Sequence, residues 1–115
     1  MSIDCLFCRI VAGNIPAARV HEDELIIAIR DLHPVAPVHL LLMPRVHIGS
    51  ALDLTEVDAP LAGRLLAAAA ALARSEGIAE GGYRLVVNAG ADGGQTVGHL
   101  HMHLLGGRAM GWPPG

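Results

Sequence analysis

The sequence predicts an α+β protein, an antiparallel sheet of about five strands with one long and one short helix. Three observations carry this prediction. Short apolar runs recur between turns rich in Pro, Gly and Asp. A single long stretch, residues 58–76, keeps its apolar residues at helical spacing. Two β-rich runs, 83–87 and 99–105, flank a long Gly-bearing loop, as antiparallel neighbours do.

Taken in order, residues 6–11 read as a short helix that stops at Gly13, with Asn14 and Pro16 barring its continuation. Arg19-Val20-His21 open a strand, Glu22-Asp23-Glu24 turn it, and residues 25–29 form a buried strand by their apolar content. Residues 31–37 are a Pro-punctuated loop, and residues 39–43 form another apolar strand that Pro44 ends. The long helix takes Asp58 as N-cap, Pro60 in its first turn, where a missing N–H does no harm, and Gly77 as its stop. Leu61, Leu65, Leu66, Ala69, Leu72 and Ala73 fall on one stripe, and the alanines of 67–71 favour helix and close approach to a sheet. This helix reads as core and carries no chemistry. In the fourth strand Tyr83, Leu85 and Val87 alternate toward the core.

At 115 residues, one domain spanning 1–115 is expected. Hydrophobic residues make up 52% of the chain but aromatic ones only 3%, so the core is aliphatic, and the scarcity of rings argues against stacking on single-stranded nucleic acid. A net charge of −3 offers no general attraction to long nucleic acid. The start, Met1-Ser2-Ile3-Asp4-Cys5, lacks the basic residues and apolar stretch of a secretory signal, and no apolar run is long enough to span a bilayer. A cytoplasmic location without membrane contact is the expectation.

The chemistry is concentrated in His99-Leu100-His101-Met102-His103. On a strand the three imidazoles share one face, about 7 Å apart, while Leu100, Met102 and Leu104 face the core. Imidazole attacks, relays protons or binds metal near neutral pH. If the fourth strand shares the core face with those apolar residues, parity puts Asn88 on the histidine face. Between the strands, Asn88-Ala89-Gly90-Ala91-Asp92-Gly93-Gly94-Gln95-Thr96 can present backbone N–H groups to an anionic oxygen. Cys5-Leu6-Phe7-Cys8 contains both cysteines of the chain, and metal binding, redox chemistry and two unconnected thiols are its open readings. Zinc would need two further ligands, for which His47 and His99 are candidates. His21, His33 and His39 read as surface or packing residues.

HLHMH followed by Leu104-Leu105 resembles the His-φ-His-φ-His-φ-φ signature of the histidine triad superfamily, φ being apolar. Arg30-Asp31-Leu32-His33-Pro34, Pro44-Arg45-Val46-His47-Ile48, Asn88…Gln95-Thr96 and the terminal Gly111-Trp112-Pro113-Pro114-Gly115 look like the Hint branch, the histidine triad nucleotide-binding proteins. The resemblance implies the family's fold and a homodimer that joins two sheets through a helix and an edge strand. It implies hydrolysis of purine nucleoside phosphoramidates, AMP or GMP carried on an amine, with His101 as nucleophile and His99 and His103 beside it. It places the nucleotide on Asp31, Leu32, Asn88, Gly94, Gln95, Thr96, His101 and His103, with Asp31 on the ribose hydroxyls. Many Hint proteins have Ser where this chain has Thr96; the hydroxyl is kept and a methyl added. In some bacterial members a like Cys pair and two histidines hold zinc, which implies Cys5, Cys8, His47 and His99 as ligands of a structural ion, none being needed for the chemistry. Dinucleoside polyphosphate hydrolysis and a nucleotide-binding regulatory role are the competing readings, and the Trp-Pro-Pro-Gly end argues against the first.

Overall fold

The computed structural model describes residues 5–115, so the reading of Met1 to Asp4 lies outside the described residues. Five antiparallel strands are ordered β1-β2-β3-β5-β4: β1 (Arg19–Glu22), β2 (Ile26–Arg30), β3 (Val38–Pro44), β4 (Tyr83–Val86) and β5 (Met102–Gly106). A short helix, α1 (Leu6–Val11), precedes the sheet, and α2 (Ala59–Ser75) links β3 to β4. The α+β reading holds, with one long and one short helix. Two single turns of 3₁₀-helix, Ala51–Asp53 and Glu56–Asp58, precede α2 and were not expected.

The sheet separates two apolar layers because neighbouring residues of a strand face opposite ways. Ile26 and Ala28 of β2, Leu40 and Leu42 of β3, and Met102 and Leu104 of β5 pack with Leu65, Ala69, Leu72 and Ala73 of α2. The alternate residues Ile27, Ile29, Leu41 and Met43 pack with Phe7, Cys8 and Ile10 of α1. Fully burying one such aliphatic side chain contributes roughly 1.5–3 kcal/mol, so both helices are held chiefly by these faces rather than by propensity.

Several local expectations are revised. Leu25 lies outside β2 and is half exposed; Asp23 Oδ1 accepts the N–H groups of Leu25 and Ile26, which delays the strand to Ile26. Asp58 stands at the N-cap of α2, but its side chain bonds Thr55 N and Thr55 Oγ1 in the preceding turn. Leu66 is 53% exposed, off the stripe that Leu65, Ala69, Leu72 and Ala73 bury. In β4 only Leu85 packs into the α2 layer; Tyr83 and Val87 are exposed at the sheet's edge. Two glycines fit turns of positive φ that a side chain would strain, Gly77 after α2 (76°) and Gly94 in the loop before the histidines (82°). Among the described residues, no helix is long and apolar enough to cross a membrane.

Candidate active site and metal centre

The histidine run starts before its strand. β5 begins at Met102, so only His103 sits in the ladder, opposite Val86 and Leu41. His99 and His101 occupy the approach, where Leu100 N–H donates to Ile48 O at 2.6 Å. The alternation expected of a strand survives there: Leu100, Met102 and Leu104 enter the α2 layer, while the imidazoles turn to the α1 side. His99 and His101 are buried. Phe7 of α1 meets the rings of His99 and His101 edge-on, with centroids at 5.9 and 5.0 Å. The rings of His101 and His103 lie 5.1 Å apart.

Backbone carbonyls fix two of the tautomers. A carbonyl can only accept, so His101 Nδ1–H donates to His99 O at 2.7 Å, and the neutral ring carries its lone pair at Nε2. His99 Nε2–H likewise donates to Pro44 O at 2.8 Å, which leaves Nδ1 bare. Burial holds His99 and His103 below the ordinary imidazole pKa.

A pocket of about 290 Å³ opens over this face. Asp31, Leu32, Thr96, His101 and His103 line it, with Phe7 and Ile29 forming apolar wall. Leu32 is 87% exposed at its rim, open to a ligand in the pocket. Asp31 Oδ1 caps the turn by accepting His33 N–H at 2.8 Å, so turn chemistry occupies part of this carboxylate. Its Oδ2 lies 3.4 Å from His39 Nε2.

The remaining expected nucleotide contacts are dispersed. Asn88 follows two residues after Val86, the partner of His103, but it lines a separate pocket with Arg84, Gly93 and Arg108. Gly94 is an exposed residue of the loop turn and borders neither pocket. Gln95 spends its amide on the backbone of its own loop and of the segment after β3: Oε1 accepts from Gly90 N, and Nε2 donates to Gly49 O and Val97 O at 2.8 and 2.9 Å. It braces the segment that carries Thr96.

His39 was read as packing, and the structure gives it more. It is buried, accepts Val35 N–H at Nδ1 (3.1 Å), and its Nε2 lies 2.9 Å from His103 Nδ1. The signal was available: His39, Leu41 and Met43 share one face of β3, and β3 pairs with the triad strand. Without that pairing, 64 residues of separation conceal the contact. His21 belongs elsewhere, bonded to Asp23 at 2.7 Å, and His33 is exposed.

Cys5, Cys8, His47 and His99 bring one donor atom each into a cluster within 4.8 Å. The Cys pair spans the first turn of α1, where Cys5 caps the helix by accepting Cys8 N–H at Sγ (3.3 Å). Cys5 Sγ lies 3.3 Å and Cys8 Sγ 3.6 Å from His99 Nδ1, Cys8 Sγ is 3.3 Å from His47 Nδ1, and the two Nδ1 atoms are 3.2 Å apart. Two thiols and two imidazoles at this spacing match the S₂N₂ donor set of tetrahedral zinc, and the His99–Pro44 bond supplies the outer hydrogen bond that such ligands carry. Burial pushes the Cys8 thiol up, so an ion would have to displace its proton.

Comparison with known proteins agrees with this geometry. The purine nucleoside phosphoramidase of Escherichia coli (strain K12) is 43% identical over 111 residues, 96% of this chain and 93% of that protein. A 14 kDa zinc-binding protein of Brassica juncea is 44% identical over 114 residues, covering 97% of this chain and all of that one. The crystal structure of a HIT family hydrolase from Legionella pneumophila Philadelphia 1 superposes with a TM-score of 0.96 at 52% identity, over 97% of this chain and all of that chain. Residues 12–110 match the HIT domain, and the chain belongs to that family, among its Hint-type members.

Proposed function

We propose that this chain hydrolyses purine nucleoside phosphoramidates through a covalent nucleotidyl-His101 intermediate. One observation carries the reading: His101 donates Nδ1–H to the carbonyl of His99, which aims an unprotonated Nε2 into the pocket that Asp31 and Leu32 share. That nitrogen attacks the α-phosphorus as the P–N bond to the amine breaks, and the amine leaves with a proton drawn from water. Water then cleaves the P–Nε2 bond, giving the nucleoside monophosphate and restoring the neutral ring. His103 bonds a phosphoryl oxygen as charge builds there, and Asp31 accepts from the ribose hydroxyls while Leu32 covers the sugar or base. His99 holds His101 through its carbonyl. Thr96, which lines the pocket, would meet the phosphate and leaving group, with Gln95 keeping that loop in place; Asn88 and Gly94, which lie outside the pocket, are assigned to the ligand by the resemblance alone. The phosphoramidase activity named for the E. coli relative supports the substrate class.

Cys5, Cys8, His47 and His99 would hold a structural zinc ion, whose contribution is to cross-link α1 to the triad approach. The working unit in this reading is a homodimer of single-domain chains, joined through α2 and the outer edge of β4, which is the last strand of the sheet.

Turnover of an adenosine phosphoramidate, measured beside a diadenosine polyphosphate, tests the substrate class. Faster hydrolysis of the polyphosphate would overturn it, and AMP binding with neither substrate cleaved would favour a regulatory protein. His101→Ala should reduce turnover about a thousandfold or more, and rapid-quench mass spectrometry of the wild type should show AMP attached to His101. A label on another side chain, or full activity in the variant, would end the covalent mechanism.

A further inference from the structure

We propose that the metal centre and the nucleotide pocket are coupled through α1: zinc tightens the binding of nucleotide, and nucleotide tightens the hold on zinc. The inference rests on the readings given above for the two sites and links them. It starts from the two duties of one short helix. Cys5 and Cys8 turn their sulfurs into the donor cluster, where the four ligand atoms lie within 4.8 Å of one another. Leu6 and Phe7, the residues between those cysteines, line the nucleotide pocket, as does Ile10 one turn on. A single turn therefore serves both sites. Phe7 is buried, and its ring meets that of His99, a member of the donor cluster, at 5.9 Å and that of His101 at 5.0 Å.

Two paths join the sites, and they are braced differently. His99 gives Nδ1 to the donor cluster and its carbonyl to His101 Nδ1–H. That segment has bonds of its own: His99 N–H donates to Val97 O at 2.9 Å, Leu100 N–H to Ile48 O, and His99 Nε2–H to Pro44 O. It keeps its place without an ion. The helix α1 is different, because six residues are too few to hold a helix by backbone bonds alone. At its far end Arg19 Nη2 donates to Ile10 O at 2.5 Å, while at its near end the two sulfurs point into the donor cluster. An ion bonded to both sulfurs fixes the turn that carries Leu6 and Phe7. Without the ion that turn rests on packing, and the nucleotide must order it on binding, at a cost in affinity. The cost falls on binding rather than on chemistry, since the carbonyl that sets the tautomer of His101 lies on the braced path. Linkage makes the effect reciprocal: the factor by which zinc tightens nucleotide is the factor by which nucleotide tightens zinc.

Two titrations on the full chain test the coupling. Calorimetry reads the affinity for AMP of the zinc-loaded and the chelator-stripped protein, at a temperature where circular dichroism shows both folded. Competition with a chromogenic chelator reads the affinity for zinc with and without saturating AMP. Zinc should tighten AMP about fivefold to tenfold, and AMP should tighten zinc by the same factor. Stripping should raise KM for an adenosine phosphoramidate in parallel, with kcat within about twofold. Phe7→Ala should still bind zinc, but with the coupling factor reduced to less than about twofold, and Phe7→Met, which refills the space, should restore part of it. If Phe7→Ala does not fold, Leu6→Ala, at a partly exposed position, should lower the factor in the same two titrations. Zinc and AMP that both bind, each indifferent to the other, overturn the proposal and leave the readings of the two sites intact. Coupling undiminished in Phe7→Ala overturns the route through α1. Failure of AMP or of zinc to bind at all ends the proposal together with the reading of that site.

Discussion

Stripping metal from the Cys5–Cys8–His47–His99 cluster should lower the melting temperature by roughly 10 °C and leave the fold intact at room temperature. The structure supplies the first step of the estimate. Tetrahedral zinc, with Zn–N near 2.05 Å and Zn–S near 2.3 Å, sets its donors about 3.3 Å apart for N and N and about 3.6 Å for N and S. The cluster shows 3.2 Å between its nitrogens and 3.3 to 3.6 Å between sulfur and nitrogen, so an ion enters with shifts of a few tenths of an ångström. An ion present at about a hundred times its dissociation constant stabilises the folded chain by about 2.7 kcal/mol. With 115 residues, at about 2.1 cal/mol/K per residue, the unfolding entropy is about 0.24 kcal/mol/K, which converts 2.7 kcal/mol into about 11 °C. Mass spectrometry with plasma ionisation should count one zinc per chain, and scanning fluorimetry with and without a strong chelator should show the shift. Cys8→Ser should abolish the response to chelator. A metal-free preparation with an unchanged melting temperature would refute the reasoning. Loss of turnover on chelation at a temperature where the fold persists would make the ion catalytic and refute it equally.

Three other perturbations probe the frame around the site. Asp23 bonds two backbone amides, His21 and Arg64; the His21 bond foremost, then the amides of Leu25 and Ile26, hold its carboxyl far below the usual carboxylate range. A depressed carboxyl contributes stability above its unfolded pKa and loses it as pH falls, so Asp23→Ala should cost about 2 kcal/mol in urea melts above about pH 5, with the gap narrowing steadily below about pH 4; a gap that widened in acid would contradict the assignment. Gln95→Ala frees the loop carrying Thr96 and, at about 1 kcal/mol of added ordering cost, should raise KM for an adenosine phosphoramidate about fivefold with kcat nearly unchanged; an unaltered KM would deny the brace. At Gly106 a new Cβ would fall on Ile78 Cδ1, so Gly106→Ala should cost about 1–3 kcal/mol, and combining it with Ile78→Ala should be less destabilising than the sum of the single variants; strict additivity would show that the contact is absent.

Most of the sheet was legible because its signals are local: alternation in β2, β3 and β5, the stop at Pro44, and the Ala-rich stripe of α2. The triad and the Cys pair were legible for the same reason, being short runs of chemically unusual residues. What escaped depends on contacts across the chain. His39 is one apolar-strand histidine until β3 pairs with β5, and Gln95 is a polar loop residue until its amide is found spent on Gly49, Gly90 and Val97. Leu25 departs from the strand, and the Asp58 carboxylate from the helix it precedes, through Asx-type bonds that composition does not reveal: Asp23 accepts the amide of Leu25, and Asp58, still at the N-cap, accepts that of Thr55. Tyr83 and Val87 alternate correctly, but Tyr83 lies in an edge strand and Val87 just past its end, where too little lies above them to bury them.

The division of the sheet into two faces has a consequence for how this chain can change length. In β3, Leu40 and Leu42 face α2, whereas His39, Leu41 and Met43 face α1 and the pocket. Inserting or deleting one residue inside this strand would exchange the two sets in a single event, sending an imidazole into the aliphatic layer and emptying the site of its support. Changes of length should therefore be tolerated only in the connecting loops. A library that varies loop length at 33–37 or 89–94 should yield folded proteins, and one that varies it within β3 should yield almost none.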